Sequence, residues 1–201
     1  MKYTVINLVN LINEIGEIGA KTILSDFCCP LAPDVEEFIC EKAIDFAKRG
    51  WAQTHLVFIT KDGKVAFIGY FTLALKVITV PVKNISKSVR KRISSFSTYD
   101  SSIDAFCLSA PLIAQLGKNF HNKYDKLITG RDLLTIACDK VSGIMQDLGG
   151  RFTYVECENK SALLDFYNNN GFFEFDRRPL NPKEKGLLSG QYLIQLLRHM
   201  K

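Results

Sequence analysis

The segment Lys126 to Leu134 reads KLITGRDLL, a pattern typical of a strand that runs through a loop into a helix. A helix N-terminus presents unpaired backbone N–H groups and the positive end of the helix dipole. Thr129, Gly130 and Arg131 could therefore hold a diphosphate through their backbone amides alone. The same residues also fit an ordinary helix start with a flexible glycine, and this segment alone leaves both interpretations open.

A second segment, Tyr154 to Phe172, reads YVECENKSALLDFYNNNGF. It predicts a strand, a helix that begins at Asn159, and a glycine, Gly171, that ends this helix before another strand. Two aromatic residues, Phe166 and Tyr167, stand one turn before that glycine. Polar and aromatic side chains are thus expected at a strand end and along one short helix.

Together the two segments resemble the acetyl-CoA-binding half of the GCN5-related N-acetyltransferases. The similarity lies in Tyr-x-Glu-Cys-Glu-Asn followed by Phe-Tyr-x-x-x-Gly-Phe, and in Gly-Arg-x-Leu-Leu upstream. It extends from about Ala105 to the C-terminus and is greatest to small bacterial acetyltransferases with a strand similar to QLGKNF at 115–120. The resemblance implies an α/β fold of the GNAT type: a mixed, mostly antiparallel twisted sheet of about six to seven strands flanked by helices.

The resemblance also implies roles for single residues. Asn159, Phe166 and Tyr167 would contact acetyl-CoA, and Tyr167 matches the family tyrosine that donates a proton to the leaving thiolate. An ordinary phenol, with a pKa of about 10, is protonated at neutral pH and can act as that acid. The pantetheine strand and the pyrophosphate loop would be formed by Leu116, Gly117, Lys118, Asn119, Lys126, Leu127, Ile128, Thr129, Gly130 and Arg131.

The phosphate loop departs from the family pattern, which usually reads Gln/Arg-x-x-Gly-x-Gly/Ala. Here Asp125 to Gly130 keeps only the last glycine, and Ile128 occupies a glycine position. A branched side chain there is expected to narrow the cradle. Lys126 and Arg131 could restore affinity through charge-assisted contacts with phosphate.

A base that deprotonates the incoming ammonium is harder to assign. Glu156 is the only carboxylate inside its strand, where alternation places it on the same side as Phe152 and Tyr154. We predict Glu156 as a catalytic base, acting directly or through water, with a structural carboxylate as the alternative. His121 is a weaker candidate, and residues Phe67 to Tyr70 with Phe71 and Leu73 either line an acceptor pocket or pack in the core.

The elements that must position these residues follow from hydrophobic periodicity. The first fifty residues are predicted to be mainly helical, with an apolar stripe of Leu8, Leu11, Ile12 and Ile15 and a second helix from an Asp34 cap to Gly50. Asp62-Gly63 between two apolar runs predicts a hairpin of strands 55–60 and 65–80, with a bend near Gly69.

The remaining elements alternate between strand and helix. The pattern predicts strands at 105–117, 151–157, 172–175 and 192–197, a long helix after Gly130 buried as far as Leu148, and a short helix at 161–170. The whole chain, 1–201, is predicted to be one acetyltransferase domain, with N-terminal helices (1–50), a hairpin and basic segment (51–104) and an acetyl-CoA-binding half (105–201).

Composition bounds the class of protein. The 201 residues are 47% hydrophobic and carry a net charge of +5, which predicts a globular chain with a sizeable core. The N-terminus resembles no leader peptide and no apolar run could span a membrane, so we expect a cytoplasmic protein. Six cysteines without metal-ligand spacing are expected to be reduced thiols, and no metal cofactor is expected.

The function predicted from these observations is direct transfer of an acetyl group from the co-substrate acetyl-CoA to a primary amine in a ternary complex. The expected partner is a small-molecule or peptide amine, and a homodimer is left open. A first alternative is an aminoacyl-tRNA-acetylating toxin of the same fold, in which the basic stretch Lys83 to Arg92 binds phosphates. A second alternative is a catalytically silent acyl-CoA-binding protein.

Overall fold

The computed structural model describes residues 3–61, 63–182 and 184–200. Asp62 of the predicted hairpin turn, and Met1 and Lys2 of the N-terminus, lie outside them. The described chain is a mixed α/β fold with eight strands. These are β1 (Tyr3–Asn7), β2 (Gln53–Lys61), β3 (Lys64–Pro81), β4 (Thr98–Asp100), β5 (Ala105–Lys118), β6 (Phe152–Glu158), β7 (Phe173–Pro179) and β8 (Tyr192–His199).

The helices are distributed along the whole chain. They are α1 (Leu8–Ser25), α2 (Pro33–Glu37), α3 (Ala43–Lys48), α4 (Lys87–Ile93), α5 (Gly130–Leu148) and α6 (Ser161–Asn169). A π-helical turn, Phe38–Lys42, joins α2 to α3. No helix within the described residues is both long and apolar enough to cross a membrane.

The strand order of the sheet is β1-β2-β3-β5-β6-β8-β7, and β4 pairs with β5. The β1–β2, β2–β3, β4–β5, β6–β8 and β7–β8 pairs are antiparallel, whereas β5 and β6 are parallel. The predicted class, a mixed and mostly antiparallel sheet with flanking helices, is confirmed, although the described strands number eight rather than six to seven.

The chain divides into two compact units. Unit 1 comprises residues 1–74 and 113–137, and unit 2 comprises residues 75–112 and 138–201. The boundaries fall inside β3, β5 and α5, so each of these elements contributes residues to both units.

In unit 1, the helices α1 to α3 bury an apolar cluster that includes Leu8, Leu24, Phe38 and Ile39 together with strand residues. The hydroxyl of Tyr70, a fully buried β3 residue, donates a hydrogen bond to the Val35 carbonyl at 2.6 Å. Each large apolar side chain buried in this way stabilises the fold by roughly 1.5–3 kcal/mol relative to exposure.

The predicted β2–β3 hairpin is confirmed down to the Lys61–Lys64 pair that closes it. Its register shifts between Val57 and Phe58, which leaves Ile68 as an extra residue beside Gly69. A Cβ on Gly69 would lie 2.9 Å from the carbonyl oxygen of Gly117, so the bulge brings β3 and the end of β5 into close approach. The predicted bend near Gly69 is this bulge.

In unit 2, β6 and β8 form the longest antiparallel pair, and Val155, Phe175, Leu196 and Leu197 are buried. Beside the parallel β5–β6 pair, the Thr153 hydroxyl donates to the carbonyl of Pro111 at 2.8 Å. All six cysteines of the chain are free thiols, and burial raises the pKa of the Cys157 thiol to about 11.

Several sequence predictions about the first helices are wrong. The described residues begin with a strand, β1, and the Asn7 side chain caps α1 by accepting from Val9 N–H. Gly16 has φ +77°, which kinks α1 and leaves Ile15 half exposed rather than buried. Asp34 lies inside the first turn of α2, since Ala32 is the N-cap and Pro33 the first helical residue.

Near the other end, Leu148 is 77% exposed because the buried stripe of α5 ends at Met145. Asn159 does not cap α6, whose N-cap is Lys160. The predicted boundaries of the strands in this region agree with β6, β7 and β8 to within a few residues.

Candidate functional site

The start of α5 in unit 1 is closed by a reciprocal cap. Thr129 Oγ1 donates to Asp132 Oδ2 at 2.7 Å and accepts from the Asp132 backbone N–H at 3.0 Å. The backbone N–H of Thr129 also donates to Asp132 Oδ2, at 3.3 Å. The pattern Thr-x-x-Asp is a capping box with aspartate in place of glutamate, and it satisfies two of the amide groups that a helix start leaves free.

This cap changes the electrostatics of the predicted phosphate cradle. The carboxylate of Asp132 already occupies the positive end of the helix dipole, which weakens the attraction for a second anion. Within the described residues, the backbone N–H groups of Gly130 and Arg131 make no hydrogen bond and stay available to a phosphate. The cradle therefore has two free amides and one opposing charge.

Ile128 does not narrow the cradle through its side chain. It is 3% exposed and belongs to the buried core, whereas Thr129 on the next position is exposed. Lys126 and Arg131 are also exposed, and Leu127 between them is partly buried. The family glycine at position 128 is thus replaced by a core residue that packs inward.

The end of β5, predicted to pair with pantetheine, is held by packing on both sides. A Cβ on Gly117 would lie 2.5 Å from Val35 Cγ1 and 3.1 Å from Phe27 Cζ, so only glycine fits without a shift of neighbouring side chains. Lys118 Nζ donates to the Asp125 carbonyl at 3.0 Å. Leu116, the first residue of the predicted set, is partly buried.

Asn119 has neither its side chain nor its backbone N–H left for a cofactor. Its Oδ1 accepts from the backbone N–H groups of Cys28 and His121, both at 3.0 Å. Its Nδ2 donates to the carbonyls of Phe67 at 2.9 Å and Asp26 at 3.2 Å. With its backbone N–H bound to the Ile68 carbonyl, this fully buried residue anchors three segments of unit 1.

Tyr167 is the most distinctive candidate in unit 2. Its ring is 8% exposed and makes edge contacts with Phe166 and Phe172, at centroid distances of 5.1 and 5.5 Å. The hydroxyl makes no hydrogen bond to a described residue, yet no fully buried side-chain oxygen or nitrogen in the described chain lacks a partner. The hydroxyl oxygen is therefore not completely sealed from solvent, although the side chain as a whole is buried.

The surroundings of Tyr167 keep its phenol protonated. Burial raises the pKa of the Tyr167 hydroxyl well above its ordinary value, and the neighbouring sulfur groups of Cys157 and Cys138 add to the rise. A raised pKa leaves the proton on oxygen across the whole neutral range. The group can donate a hydrogen bond but gives up its proton reluctantly.

Glu156, the predicted base, lies in an ion-pair network. Its Oε2 accepts from Arg178, with an Nη2 to Oε2 distance of 2.8 Å, and its Oε1 accepts from Gln195 Nε2 at 2.8 Å. Arg178 also binds both oxygens of Glu184. Both oxygens of Glu156 are engaged, so action as a base would require one of these contacts to open, and the arrangement favours the structural alternative.

The other predicted residues of unit 2 have partly polar surroundings. Asn159 is exposed, and its Nδ2 donates to the hydroxyl of Tyr192 at 3.2 Å. Phe166 is partly buried, and its carbonyl accepts from Asn170 Nδ2 at 2.7 Å. In the described chain, no group of three or more His, Cys, Asp or Glu side chains is arranged to hold a metal ion.

The residues considered for an acceptor pocket are buried, as the core alternative predicts, although Phe67 also lines a cavity of unit 1. Ile68, Tyr70 and Phe71 are fully buried, and Phe67 and Leu73 are each 6% exposed. Two residues of the site were not predicted from the sequence. Asp132 could have been found from the pattern Thr-x-x-Asp. Arg178 has no local signal, because its partner Glu156 is 22 positions away.

No family model and no curated protein matches this sequence. Solved structures do match it. A tyrosine-to-phenylalanine mutant of KacT has a TM-score of 0.62 at 13% identity, over 96% of this chain and 94% of that one. AtaT complexed with acetyl-methionyl-tRNAfMet has a TM-score of 0.61 at 16% identity, over 96% and 94%.

A third solved structure, AtaTR bound with AcCoA, has a TM-score of 0.54 at 14% identity and covers 96% of this chain and 92% of that chain. Identities this low establish a shared fold and leave the activity to be argued from the residues. The strand order, the parallel β5–β6 pair and these structures agree that the chain has the fold of the GCN5-related N-acetyltransferases.

Proposed function

We propose that this protein transfers an acetyl group from acetyl-CoA to an amine acceptor. The observation that carries the proposal is the Tyr167 phenol, whose ring is buried and whose raised pKa keeps the proton on its oxygen. The shared fold supports it, since one solved structure of that fold is bound with AcCoA. The reaction forms a C–N bond between the amine and the acetyl carbon and breaks the C–S bond of the thioester. The amine nitrogen loses one proton, and the departing thiolate gains one.

In this proposal Tyr167 donates a hydrogen bond to the departing sulfur. A thiol has an ordinary pKa of about 8.5, so complete proton transfer from a phenol of raised pKa would be uphill. A hydrogen bond to the developing negative charge stabilises the transition state without that transfer. The proton on the product thiol is then supplied by solvent.

The proposed phosphate contacts use groups that the described chain leaves available. The backbone N–H groups of Gly130 and Arg131 would bind phosphate, with the exposed side chains of Lys126 and Arg131 beside them. Leu116 to Lys118 would contact the pantetheine arm through backbone groups. Asn159 and Phe166 are proposed contacts of the same co-substrate.

The test measures binding and chemistry separately on the purified full-length protein. Acetyl-CoA affinity is measured by calorimetry, and free thiol release is followed with polyamines, amino acids, aminoglycosides, peptides and charged tRNA. Acceptor-dependent thiol release supports the proposal. Binding of acetyl-CoA without thiol release from any acceptor would support the catalytically silent alternative instead.

A nucleic-acid acceptor is the second candidate function. Five cationic side chains on and before α4 are exposed and make no ion pair with a described residue: Lys83, Lys87, Arg90, Lys91 and Arg92. A neighbour of the same fold was solved with acetyl-methionyl-tRNAfMet. Such a cluster binds phosphates by counterion release, so affinity for charged tRNA should fall steeply with salt.

The matched comparison for this candidate is an Arg90→Gln, Lys91→Gln double variant. If charged tRNA is the acceptor, the variant binds tRNA more weakly and the salt slope falls by about two, while acetyl-CoA affinity is unchanged. Harmless overexpression in cells together with a salt-independent reaction would contradict this candidate and leave a small or peptide amine as the acceptor.

A further inference from the structure

A cavity of about 310 Å³ lies within unit 1, beside the end of α1, the β2–β3 hairpin and the loop after β5. Its apolar lining includes Ile23, Phe58, Val65 and Phe67. The volume lies at the lower end of the range of small-molecule pockets, which is roughly 300–1,000 Å³. A ligand of few heavy atoms with an apolar body fits this space.

The polar side of the cavity is formed by Asp26, His121 and Tyr124. Lysine and arginine do not occur in the lining, as far as the chain is described, so Asp26 gives the cavity a negative charge. His121 and Tyr124 are in ring contact, with centroids 6.2 Å apart. This lining combines a carboxylate with aromatic groups, a combination that recognises organic cations.

Asp26 is placed where its charge is unfavourable for the protein itself. It is the C-cap of α1, at the negative end of the helix dipole, and α1 has no basic residue in its last turn. Its carboxylate makes no hydrogen bond or ion pair with residues 3–61, 63–182 or 184–200. Asp26 is exposed to solvent, so this unfavourable contribution is modest, and a cation bound beside the carboxylate would offset it.

The cavity is also preorganised. Asn119 lines it and joins three of its walls, by hydrogen bonds to Asp26, Phe67 and His121. Next to His121, the non-glycine residues Asn122 and Lys123 have φ of +49° and +60°. A left-handed conformation is unfavourable for such residues and persists only where the surroundings fix it, so this loop is held in one shape.

We propose that this cavity binds a small primary amine, with its ammonium group beside Asp26 and its apolar group against Phe58 and Phe67. A phosphate or carboxylate ligand is disfavoured, because both the Asp26 charge and the helix end repel anions. The proposal concerns binding by unit 1 residues and does not depend on acetyl transfer.

The test uses phenethylamine as the probe and 2-phenylethanol as its uncharged counterpart. Binding to the full-length protein is measured by calorimetry and by amide chemical shifts, without acetyl-CoA. We expect phenethylamine to bind, to shift the amides of residues 23–26 and 119–124, and to bind at least about fivefold more tightly than the alcohol, as one partly exposed ion pair provides.

The decisive variant is Asp26→Asn, and Asp147→Asn is its control. Asp147 lies in the last turn of α5 and is exposed, so the control makes the same change of charge at a helix end outside the cavity. Asp26→Asn should weaken phenethylamine binding about fivefold or more, and Asp147→Asn should leave it unchanged. A Tm of the Asp26→Asn protein at or above the Tm of the wild-type protein verifies that the variant is folded.

Three outcomes would overturn the proposal. They are no phenethylamine binding at millimolar concentration, equal affinity in Asp26→Asn and wild type, and displacement of phenethylamine by acetyl-CoA, which would assign the cavity to the co-substrate. Thiol release is measured in parallel, so a protein that binds the amine without any acetyl transfer would contradict the proposed function alone.

Discussion

Thr129 and Asp132 hold each other at the start of α5, with 2.7 Å between the hydroxyl oxygen and a carboxylate oxygen. The pair stabilises the helix start, since it satisfies amides that have no partner within the helix. The same carboxylate faces the region where the resemblance places a diphosphate. Helix stability and anion binding therefore make opposite demands on Asp132.

Asp132→Asn is expected to raise the affinity for acetyl-CoA about two- to fivefold at low salt, because one opposing charge at a helix N-terminus is removed. The asparagine oxygen can still accept from Thr129, so the helix start is retained. The measurement is the calorimetric Kd of acetyl-CoA. Asp139→Asn, an exposed position further along α5, is the charge-matched control, and an unchanged Kd in Asp132→Asn would remove the diphosphate from this helix end.

Tyr167→Phe should lower turnover by about a hundredfold and change the Kd of acetyl-CoA less than twofold. The hydrogen bond to sulfur becomes important only as the C–S bond breaks, so its loss appears in kcat. The ring and its contacts with Phe166 and Phe172 are retained in the variant. Steady-state thiol release gives kcat, and calorimetry gives the Kd.

The control for that experiment is Tyr99→Phe, which removes an exposed hydroxyl bound to Asp104 elsewhere in unit 2. It should leave both constants unchanged. Equal losses of turnover and affinity in Tyr167→Phe would indicate a structural hydroxyl, and an undiminished kcat would exclude Tyr167 as the donor.

Glu156→Gln tests whether Glu156 is a catalytic base or a structural residue that anchors Arg178 and Gln195. The contacts with Arg178 and Gln195 predict an anchor, whose loss lowers the free energy of unfolding by about 1 kcal/mol because the ion pair is only partly buried. Turnover should then fall less than fivefold, with the pH profile of kcat/KM keeping its shape. A hundredfold loss with the acidic limb of that profile missing would instead establish Glu156 as the base, because protonation of a catalytic base causes the fall in activity at low pH.

The sequence predicted those parts of the fold that depend on neighbours along the chain. The β2–β3 hairpin, the stripe of α5 and the strand–helix–strand run of β6, α6 and β7 were confirmed because each has a period and a glycine that ends it. The strand β1 was missed. Its five residues run directly into α1, and only pairing with β2 distinguishes them from a helix start.

The chemistry of the site depended on contacts that periodicity does not encode. Asn119 bonds to residues 91 and 93 positions away, and this is what turns a predicted cofactor contact into a buried anchor. Arg178 on β7 likewise reaches Glu156 on β6 across the one strand between them, β8. Local pattern predicted the position of Tyr167 on a helix, but only packing shows that its side chain is buried.

Gly117 shows how a glycine in a predicted cofactor strand can be required by the core. A methyl group there would lie 2.5 Å from Val35 Cγ1, so Gly117→Ala should lower the free energy of unfolding by about 1–3 kcal/mol, as overpacking does. Gly143→Ala is the matched control, since that helical glycine has open space around it and alanine should add about 0.5–1 kcal/mol. Urea unfolding midpoints measure both changes. If Gly117→Ala were as stable as wild type but lost acetyl-CoA affinity, the glycine would serve the co-substrate and not the packing of Val35.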